Sequence, residues 1–340
     1  MPHTLPSWLT GVALPWLHEE ASVFGQGPLV VANAAENAAL AARRAELDAA
    51  IIVGVDDVGR VPQVAEVFDI LLTTASAPPR PWVQVQEIAG AVEGLQTAVK
   101  SNPNAAVALA QVLRAQRSLD FEAALLLESF AYSTLLGGAE FRRWREATPR
   151  SEPASEPGPA ILLERDGETL RIILARPGND NAMTAELRDQ LVDALRTARL
   201  DRDVTTVELR SQGRLFCQGG SLNEFGSAAD LALAHHIRSV RSVVLALHRL
   251  EAHSRAIIQG GAIGSGIEIA AAAREVVTDA SAFFRLPEVS MGLIPGAGGT
   301  VTIARRIGWQ RACYTALTGI RLRARTALAW GLVDRLSDDA

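Results

Sequence analysis

The sequence predicts an α/β fold made of two units. In both halves of the chain, short apolar runs of strand length alternate with longer segments of helical periodicity. Between the halves, Pro149–Pro159 reads PRSEPASEPGP, which suits neither a helix nor a central strand. We therefore predict an accessory unit over residues 1–148, a linker over 149–159 and a second unit over 160–340.

Composition narrows the class of protein. The 340 residues are 48% hydrophobic and 21% charged, and the net charge of -5 argues against a general nucleic-acid binder. Two cysteines, Cys217 and Cys313, cannot build a disulfide framework, which favours a reducing compartment. No apolar run has the length of a membrane span, and the N-terminus lacks the pattern of a signal peptide. We expect a cytoplasmic protein without membrane insertion.

The first unit begins as a small α/β pattern. Three apolar runs are predicted as strands: Leu29–Ala32, Ala50–Val55 and Trp82–Val85. Two intervening segments are predicted as helices: Ala34–Ala49, and Pro62–Ala75 with proline in its first turn. This βαβαβ order over residues 28–85 favours a parallel sheet.

Helices are predicted from Gln86 to Arg145, with one break at Asn102 and Pro103. In the second unit, Ala160–Leu163 and Leu170–Leu174 are predicted to pair around a turn at Asp166 and Gly167. Further strands are predicted at Thr206–Leu209, Ala256–Gln259 and Val276–Thr278. Further helices are predicted at Thr184–Arg199, His235–Leu250 and Ile267–Ala273.

Three glycine-rich segments accompany these elements: GRLFCQGGS (213–221), QGGAIGSGIE (259–268) and PGAGGT (295–300). The first follows a predicted strand, and the other two run into helix patterns. Such turns can present bare N–H groups and a helix dipole to developing negative charge. None has the spacing of a phosphate-binding loop. Tight turns and close packing are the alternative explanation.

Glu268 and Glu288 are the most suggestive acids, because each lies in an apolar stretch. A buried acid is costly unless it is paired, protonated or functional. Two such acids near glycine-rich turns could hold one water and move one proton. The alternative is a pair of exposed or ion-paired acids, with Glu288 meeting Arg285. Cys217 is interpreted as a small packed residue, and the histidines show no zinc-site spacing.

Residues 161–336 resemble the crotonase superfamily, the enoyl-CoA hydratase/isomerase family. Four segments carry the resemblance in order: ARPGNDNAMTAELRDQL, RLFCQGGSLNEF, the stretch from IIQGGAIGSGIE to GLIPGAGGT, and LTGIRLRARTALAWGLVDRL. The resemblance implies a crotonase core, a ClpP-like spiral of ββα repeats, with an N-terminal α/β plus helical accessory domain.

The resemblance also implies the chemistry. The family binds acyl-CoA thioesters and stabilises an enolate with two backbone N–H groups, which fall here on Gly220 and Ser265. Its two glutamates fall on Glu268, which would deprotonate a water that attacks the β-carbon, and Glu288, which would protonate the α-carbon. Substrate contacts are expected at six further residues: Arg214, Phe216, Gln218, Gly219, Gly264 and Gly296.

The reaction implied is syn hydration of a 2-enoyl-CoA, or enoyl-CoA isomerisation, as in fatty-acid metabolism. Alternatives are thioester hydrolysis, decarboxylation or C–C cleavage, and a non-catalytic acyl-CoA-binding subunit. The CoA thioester is expected as substrate, with no separate cofactor and no metal. A homotrimer or a dimer of trimers is expected as the assembly.

The sequence departs from the family at several points. Ser221 replaces the usual Asp, Ser265 replaces the oxyanion glycine, and Gln218 and Gly220 replace small alanines. The chain also stops at Ala340, where family members continue with helices. Residues 86–147 resemble that helical tail, so we expect a rearranged or fused chain. We expect residues 28–85 to be either a degenerate crotonase core or an unrelated α/β unit.

Overall fold

The computed structural model describes residues 17–25, 27–150 and 156–337. Residues 151–155, in the middle of the predicted linker, lie outside the described residues. Among the described helices, none is both long enough and apolar enough to cross a membrane.

The first unit contains a parallel sheet of four strands in the order β1-β2-β3-β4, which confirms the predicted parallel arrangement. Its strands are β1 (Leu29–Asn33), β2 (Ile51–Val55), β3 (Ile70–Thr73) and β4 (Val83–Gln84). Its helices are α1 (Leu17–Glu20), α2 (Asn37–Ala42), α3 (Ile88–Ser101), α4 (Pro103–Ala115), α5 (Phe121–Leu136) and α6 (Ala139–Ala147). Proline opens α4, and the predicted break at Asn102 and Pro103 is confirmed.

Two helix predictions for the first unit are wrong. Pro62–Ala75 contains only a short 3₁₀ turn, and its second half is strand β3, whose four residues are all buried. Its apolar run pairs with β2, so burial in a sheet overrides the local helical pattern. Ala34–Ala49 is not one helix either, because α2 lies between two 3₁₀ turns.

The second unit contains a sheet of six strands in the order β13-β10-β8-β7-β6-β5 and a sheet of three in the order β12-β11-β9. The strands are β5 (Ile161–Asp166), β6 (Thr169–Leu174), β7 (Thr206–Ser211), β8 (His253–Ile258), β9 (Gly261–Ile263), β10 (Glu275–Thr278), β11 (Phe283–Arg285), β12 (Leu322–Arg323) and β13 (Arg335–Leu336). The predicted β5–β6 hairpin is confirmed, and the other pairs of the larger sheet are parallel.

Helices cover both sheets of the second unit. They are α7 (Ala185–Leu200), α8 (Leu231–Val240), α9 (Val243–His248), α10 (Ser265–Ala270), α11 (Gly299–Ile307), α12 (Trp309–Thr318) and α13 (Ala324–Trp330). The single helix predicted over His235–Leu250 is two helices, because Ser242 accepts the Leu245 N–H and begins α9. The helix predicted over Ile267–Ala273 begins two residues earlier, at Ser265.

One hydrophobic core runs through both units. Alternate residues of β2 point to opposite faces, so Ile51 and Val53 join this core while Ile52 packs in a smaller cluster on the outer face. Helices α3 and α4 continue the core towards α12, and α5 packs against α8 and α11. Polar contacts also cross between the units, since Arg311 donates to the carbonyl oxygen of Trp82 at 2.9 Å. The first unit is thus packed directly on the second.

Candidate active site

Two backbone N–H groups meet where a loop crosses the start of α10. The loop at Cys217–Gly220 runs beside β9, and the Ile263 N–H donates to the Cys217 carbonyl at 2.9 Å. A Cβ on Gly219 would lie 3.7 Å from the Cα of Gly264. Within the described residues, neither the Gly220 N–H nor the Ser265 N–H donates to another protein group. Two free donors therefore lie close together at a helix N-terminus.

Gly264 makes this turn possible. Its φ of 49° lies in the left-handed region, which L side chains rarely adopt. A Cβ at this position would also lie 2.6 Å from the Glu288 Oε1. Gly264 therefore allows both the turn into α10 and the close approach of the Glu288 carboxyl group.

Glu268 lies on α10 with one carboxylate oxygen fixed by backbone. Its Oε2 accepts the Ala297 and Gly299 N–H groups, each at 2.8 Å. Its Oε1 accepts no hydrogen bond from the described protein. Burial raises the pKa of Glu268 to about 7, although the two amide hydrogen bonds oppose that rise. A carboxyl group with this pKa can exchange a proton near neutral pH.

Glu288 begins the 3₁₀ turn Glu288–Met291, and its side chain is 7% exposed. Its Oε2 is buried without a hydrogen-bond partner. Burial raises the pKa of Glu288 well above its ordinary value, and the charges of Glu268 and Glu128 raise it further. Arg285 forms no ion pair with it among the described residues and donates instead to the Gly319 carbonyl. Burial and the neighbouring carboxylates therefore favour the protonated form of this carboxyl group.

A third buried glutamate, Glu128, reaches the same place from α5 of the first unit. Its Oε1 accepts the Gly298 N–H at 2.7 Å, and its Oε2 accepts the Thr300 N–H at 2.9 Å and the Thr300 hydroxyl at 2.6 Å. Gln116 donates to that same hydroxyl at 2.7 Å. The N–H groups of residues 297–300 thus alternate between Glu268 and Glu128.

The sequence analysis did not identify Glu128. Its helix, α5, is apolar on most of its faces, and the amides that Glu128 binds lie some 170 residues further along the chain. Burial raises its pKa to about 8, and the charge of Glu268 adds to this rise. A glutamate in an apolar stretch, LLLESF, is the signal that could have indicated it.

One cavity of about 590 Å³ joins these groups, a volume typical of a small-molecule site. Gly220, Ser265, Glu268 and Glu288 all line it. The first unit supplies further walls, and those residues include Tyr132, Leu136, Phe141, Arg142 and Arg145. The helices of residues 86–147 therefore close the cavity of their own chain.

The six expected substrate contacts lie in different surroundings. Gly296 lines the cavity, Gly219 and Gly264 form the turns beneath it, and Phe216 is 1% exposed in the hydrophobic core. Gln218 donates to the Asn179 carbonyl at 2.7 Å. Arg214, with a side chain 77% exposed, pairs with Asp180. The structure thus brings the two glutamates and the two N–H donors together, and leaves Phe216, Gln218 and Arg214 outside the cavity lining.

The structure also shows where the residues that differ from the family pattern lie. Ser221 lines the cavity and donates its N–H to the Met183 carbonyl at 3.0 Å. The Ser265 side chain is buried at the first position of α10, beside Cys217. Cys217 is fully buried, and burial raises its pKa to about 11, which confirms the packed cysteine predicted from the sequence.

Comparison with known proteins agrees with this architecture. The family model described as enoyl-CoA hydratase/isomerase matches residues 164–340, just over half of the chain. The 2,3-dehydroadipyl-CoA hydratase of Escherichia coli is 34% identical over 176 residues, which cover 51% of this chain and 67% of that protein. The 1,2-epoxyphenylacetyl-CoA isomerase of the same organism is 31% identical over 184 residues, with 53% and 70% covered.

Solved structures agree as well. AtuE of Pseudomonas aeruginosa superposes with a TM-score of 0.50 at 31% identity, covering 53% of this chain and 71% of that one. The enoyl-CoA hydratase of Thermoplasma volcanium gives 0.50 at 30% identity, covering 54% and 73%. The chain belongs to the enoyl-CoA hydratase/isomerase family, whose members process acyl-CoA thioesters on a crotonase fold. Among the curated relatives, the matched part spans between 55% and 70% of their length.

Proposed function

We propose that the protein is an enoyl-CoA hydratase that adds water across the C2=C3 bond of a 2-enoyl-CoA. The observation that carries the proposal is one cavity lined by two buried glutamates and two unoccupied backbone donors. The names of the relatives, hydratases and an isomerase, support the same class of reaction. Coenzyme A enters as part of the substrate, and we propose that no separate cofactor or metal is needed.

The proposed reaction starts at the thioester carbonyl. The N–H groups of Gly220 and Ser265 would bind its oxygen, and one such donor lowers the barrier by about 3 kcal/mol. Negative charge can then develop on that oxygen as an enolate. Ser265 lies at the start of α10, so the free amides of the first helical turn face the same charge.

The two glutamates divide the proton transfers. The free Oε1 of Glu268 takes a proton from water as the water oxygen bonds to C3. The protonated Oε2 of Glu288 gives its proton to C2, and the C2=C3 double bond becomes a single bond. The proton gained by Glu268 balances the proton lost by Glu288. The raised pKa values of both groups suit these opposite roles at neutral pH.

The test is the loss of the enoyl-thioester ultraviolet absorbance with a panel of 2-enoyl-CoAs. We expect rapid loss for the native protein and a decrease of about 10²–10⁴-fold in kcat for Glu268→Gln and for Glu288→Gln. Glu251→Gln, at an exposed surface position, is the matched control and should keep native activity. Binding of CoA without loss of absorbance at any chain length would contradict hydration.

The same measurement separates the alternatives. A rise in absorbance from a 3-enoyl-CoA would indicate isomerisation. Release of free thiol would indicate thioester hydrolysis. Binding without turnover would favour an acyl-CoA-binding subunit. Activity that survives treatment with a chelator would support the absence of a metal.

Assembly and location belong to the same proposal. From the family resemblance we propose a homotrimer or a dimer of trimers in the cytoplasm. Three of the similar proteins are named as mitochondrial, so location varies among the relatives. Light scattering coupled to size-exclusion chromatography gives the molar mass, and a monomer would contradict the proposed assembly.

A further inference from the structure

Arg238 reaches into the cavity from α8 without forming an ion pair with any described residue, although the charge of Glu128 acts on it. Its Nε donates to the Ser129 hydroxyl at 3.3 Å, and its Nη2 donates to the Ser129 carbonyl and the Ser133 hydroxyl. Its Nη1 has no partner among the described residues, and no carboxylate there lies within ion-pairing distance. By contrast, Arg188, which lines both this cavity and a neighbouring one, and Arg241, which lines the neighbouring one, are ion-paired with aspartates. Burial lowers the pKa of Arg238, which shows that its charge is poorly solvated.

A second unused donor lies beside Arg238. The ring of Tyr132, on α5, stands 4.8 Å from the guanidinium carbon in a cation–π contact that fixes both side chains. The Tyr132 hydroxyl forms no hydrogen bond with the described protein, and Tyr132 lines the large cavity. The Arg238 Nη1 and the Tyr132 hydroxyl therefore face the same space, and the described protein supplies no acceptor for either of these two groups.

These two donors lie near the glutamates proposed to transfer protons. The Tyr132 ring packs against Gly296 so closely that a Cβ there would overlap it. Gly296 precedes Ala297, whose N–H holds Glu268. Burial raises the pKa of Tyr132, and the charge of Arg238 opposes that rise. The charges of Glu268, Glu288 and Glu128 raise it further, so these carboxyl groups lie near the Tyr132 hydroxyl.

A side cavity continues from this point. It has a volume of about 190 Å³ and shares Arg238, Gly296 and Ala297 with the large cavity. Its apolar wall consists of Leu125, Leu126, Val243, Leu245 and Ile269. No residue of the 214–221 loop, where the CoA contacts were expected, lines it. Arg238 lines both cavities, so an anion that it binds from the side cavity would lie on the acyl side of the thioester.

We propose, on the basis of the hydratase function proposed above, that Arg238 and Tyr132 bind a carboxylate carried by the acyl chain. The substrate class would then be 2-enoyl-CoA thioesters of dicarboxylic acids. A half-buried cation is costly when unpaired, and a substrate carboxylate would supply both the counter-charge and two acceptor oxygens. One oxygen would accept from the Arg238 Nη1 and the other from the Tyr132 hydroxyl.

The experiment compares two substrates of equal length, 2-hexenoyl-CoA and 2-hexenedioyl-CoA, which differ only at the far end. For the native protein we expect kcat/KM about 100-fold higher with the dicarboxylic substrate. Arg238→Gln should lose that 100-fold on 2-hexenedioyl-CoA and change 2-hexenoyl-CoA by less than threefold. Tyr132→Phe should lose about tenfold on the dicarboxylic substrate alone. Arg325→Gln, at an exposed position of α13 that lines neither cavity, is the matched control.

Three results would overturn the proposal. The native protein could fail to prefer the dicarboxylic substrate. Arg238→Gln could lower both substrates equally, which would place Arg238 against the CoA phosphates or in a structural role. If neither substrate is converted, the proposed hydration is contradicted. The carboxylate site is then tested separately, by measuring the affinities of the two thioesters by calorimetry. Tighter binding of 2-hexenedioyl-CoA that Arg238→Gln abolishes would support the carboxylate site, and equal affinities would contradict it.

Discussion

Glu128 ties the first unit to the residue proposed as the catalytic base. It accepts the amides of Gly298 and Thr300, while Glu268 accepts the intervening amides of Ala297 and Gly299. Any movement of this short segment displaces both carboxylates. Glu128 is therefore a positioning residue that acts through the 297–300 backbone and through its charge.

Glu128→Gln should test this role. The amide side chain presents an N–H where a backbone N–H now donates, so we expect the free energy of unfolding to fall by about 2 kcal/mol. Removing the charge of Glu128 also lowers the pKa of Glu288, because that charge now raises it. The alkaline limb of the kcat/KM profile should therefore shift to lower pH.

The pH dependence of kcat/KM distinguishes a positioning role of Glu128 from a role in the stability of the fold alone. Glu93→Gln, at an exposed position of α3 that lines neither cavity, is the control and should leave the profile unchanged. A Glu128→Gln protein that is less stable but keeps the native alkaline limb would show that Glu128 only supports the fold.

The burial of some of these residues could be predicted from the sequence, and the contacts of others could not. The apolar neighbours of Glu268 and Glu288 predicted burial, and the structure buries both. The apolar neighbours of Glu128 carry the same signal, whereas nothing near Arg238 in the sequence indicates its burial. Their environment is created by contacts with distant segments, and no local pattern reports such contacts.

At the scale of elements, helix α5 can lie close to the second unit because residue 296 is a glycine, without a side chain. Its Tyr132 ring occupies the space that a Cβ on Gly296 would need. Strand β3 behaves similarly. Its sequence has a helical pattern, but burial between β2 and β4 makes it a strand. In both cases the packing partner, rather than the local sequence, decides where the element lies.

Gly296→Ala should therefore push α5 away from the second unit. We expect the free energy of unfolding to fall by about 1–3 kcal/mol, as in other overpacked sites, together with a loss of activity. Urea denaturation followed by circular dichroism measures the first effect.

Gly94→Ala is the matched control for this substitution. Gly94 is exposed in the middle of α3, and a Cβ there would meet no atom within 4 Å. Alanine should stabilise the protein by about 1 kcal/mol, since it has the higher helix propensity. Equal effects of the two substitutions would refute a steric limit at Gly296.

At the scale of the whole molecule, three buried acids set the dependence of stability on pH. The pKa values of Glu128 and Glu268 rise to about 8 and about 7, and that of Glu288 rises well above its ordinary value. Unfolding returns each to about 4.3. Between these limits the folded state binds more protons than the unfolded state, so stability falls as pH rises.

We expect the free energy of unfolding to decrease between pH 6.5 and pH 8. Glu288→Gln removes one of the three groups, so its slope should be smaller by up to about 1.4 kcal/mol per pH unit. Urea titrations at closely spaced pH values measure both slopes. Parallel curves for the native protein and the variant would contradict a raised pKa at Glu288.

The two units could be predicted as separate pieces, but not their shared core. The proline-rich segment and the alternation of strands and helices indicated where each piece lies. The sequence alone left open whether helices 86–147 close their own cavity or that of a neighbour. The contacts of Glu128 and Tyr132 with residues 296–300 close it within one chain, because both units bury their apolar faces against each other.

The pairing of Glu128 with residues 298 and 300 also has a consequence for synthesis on the ribosome. Glu128 is made 170 residues before Gly298. At about 5–20 residues per second, the backbone donors of Glu128 are synthesised on the order of 10–30 s after Glu128 itself. During that interval α5 is complete while the segment it covers is still untranslated. A slow codon run after the first unit would lengthen the exposure of the nascent chain to chaperones and proteases.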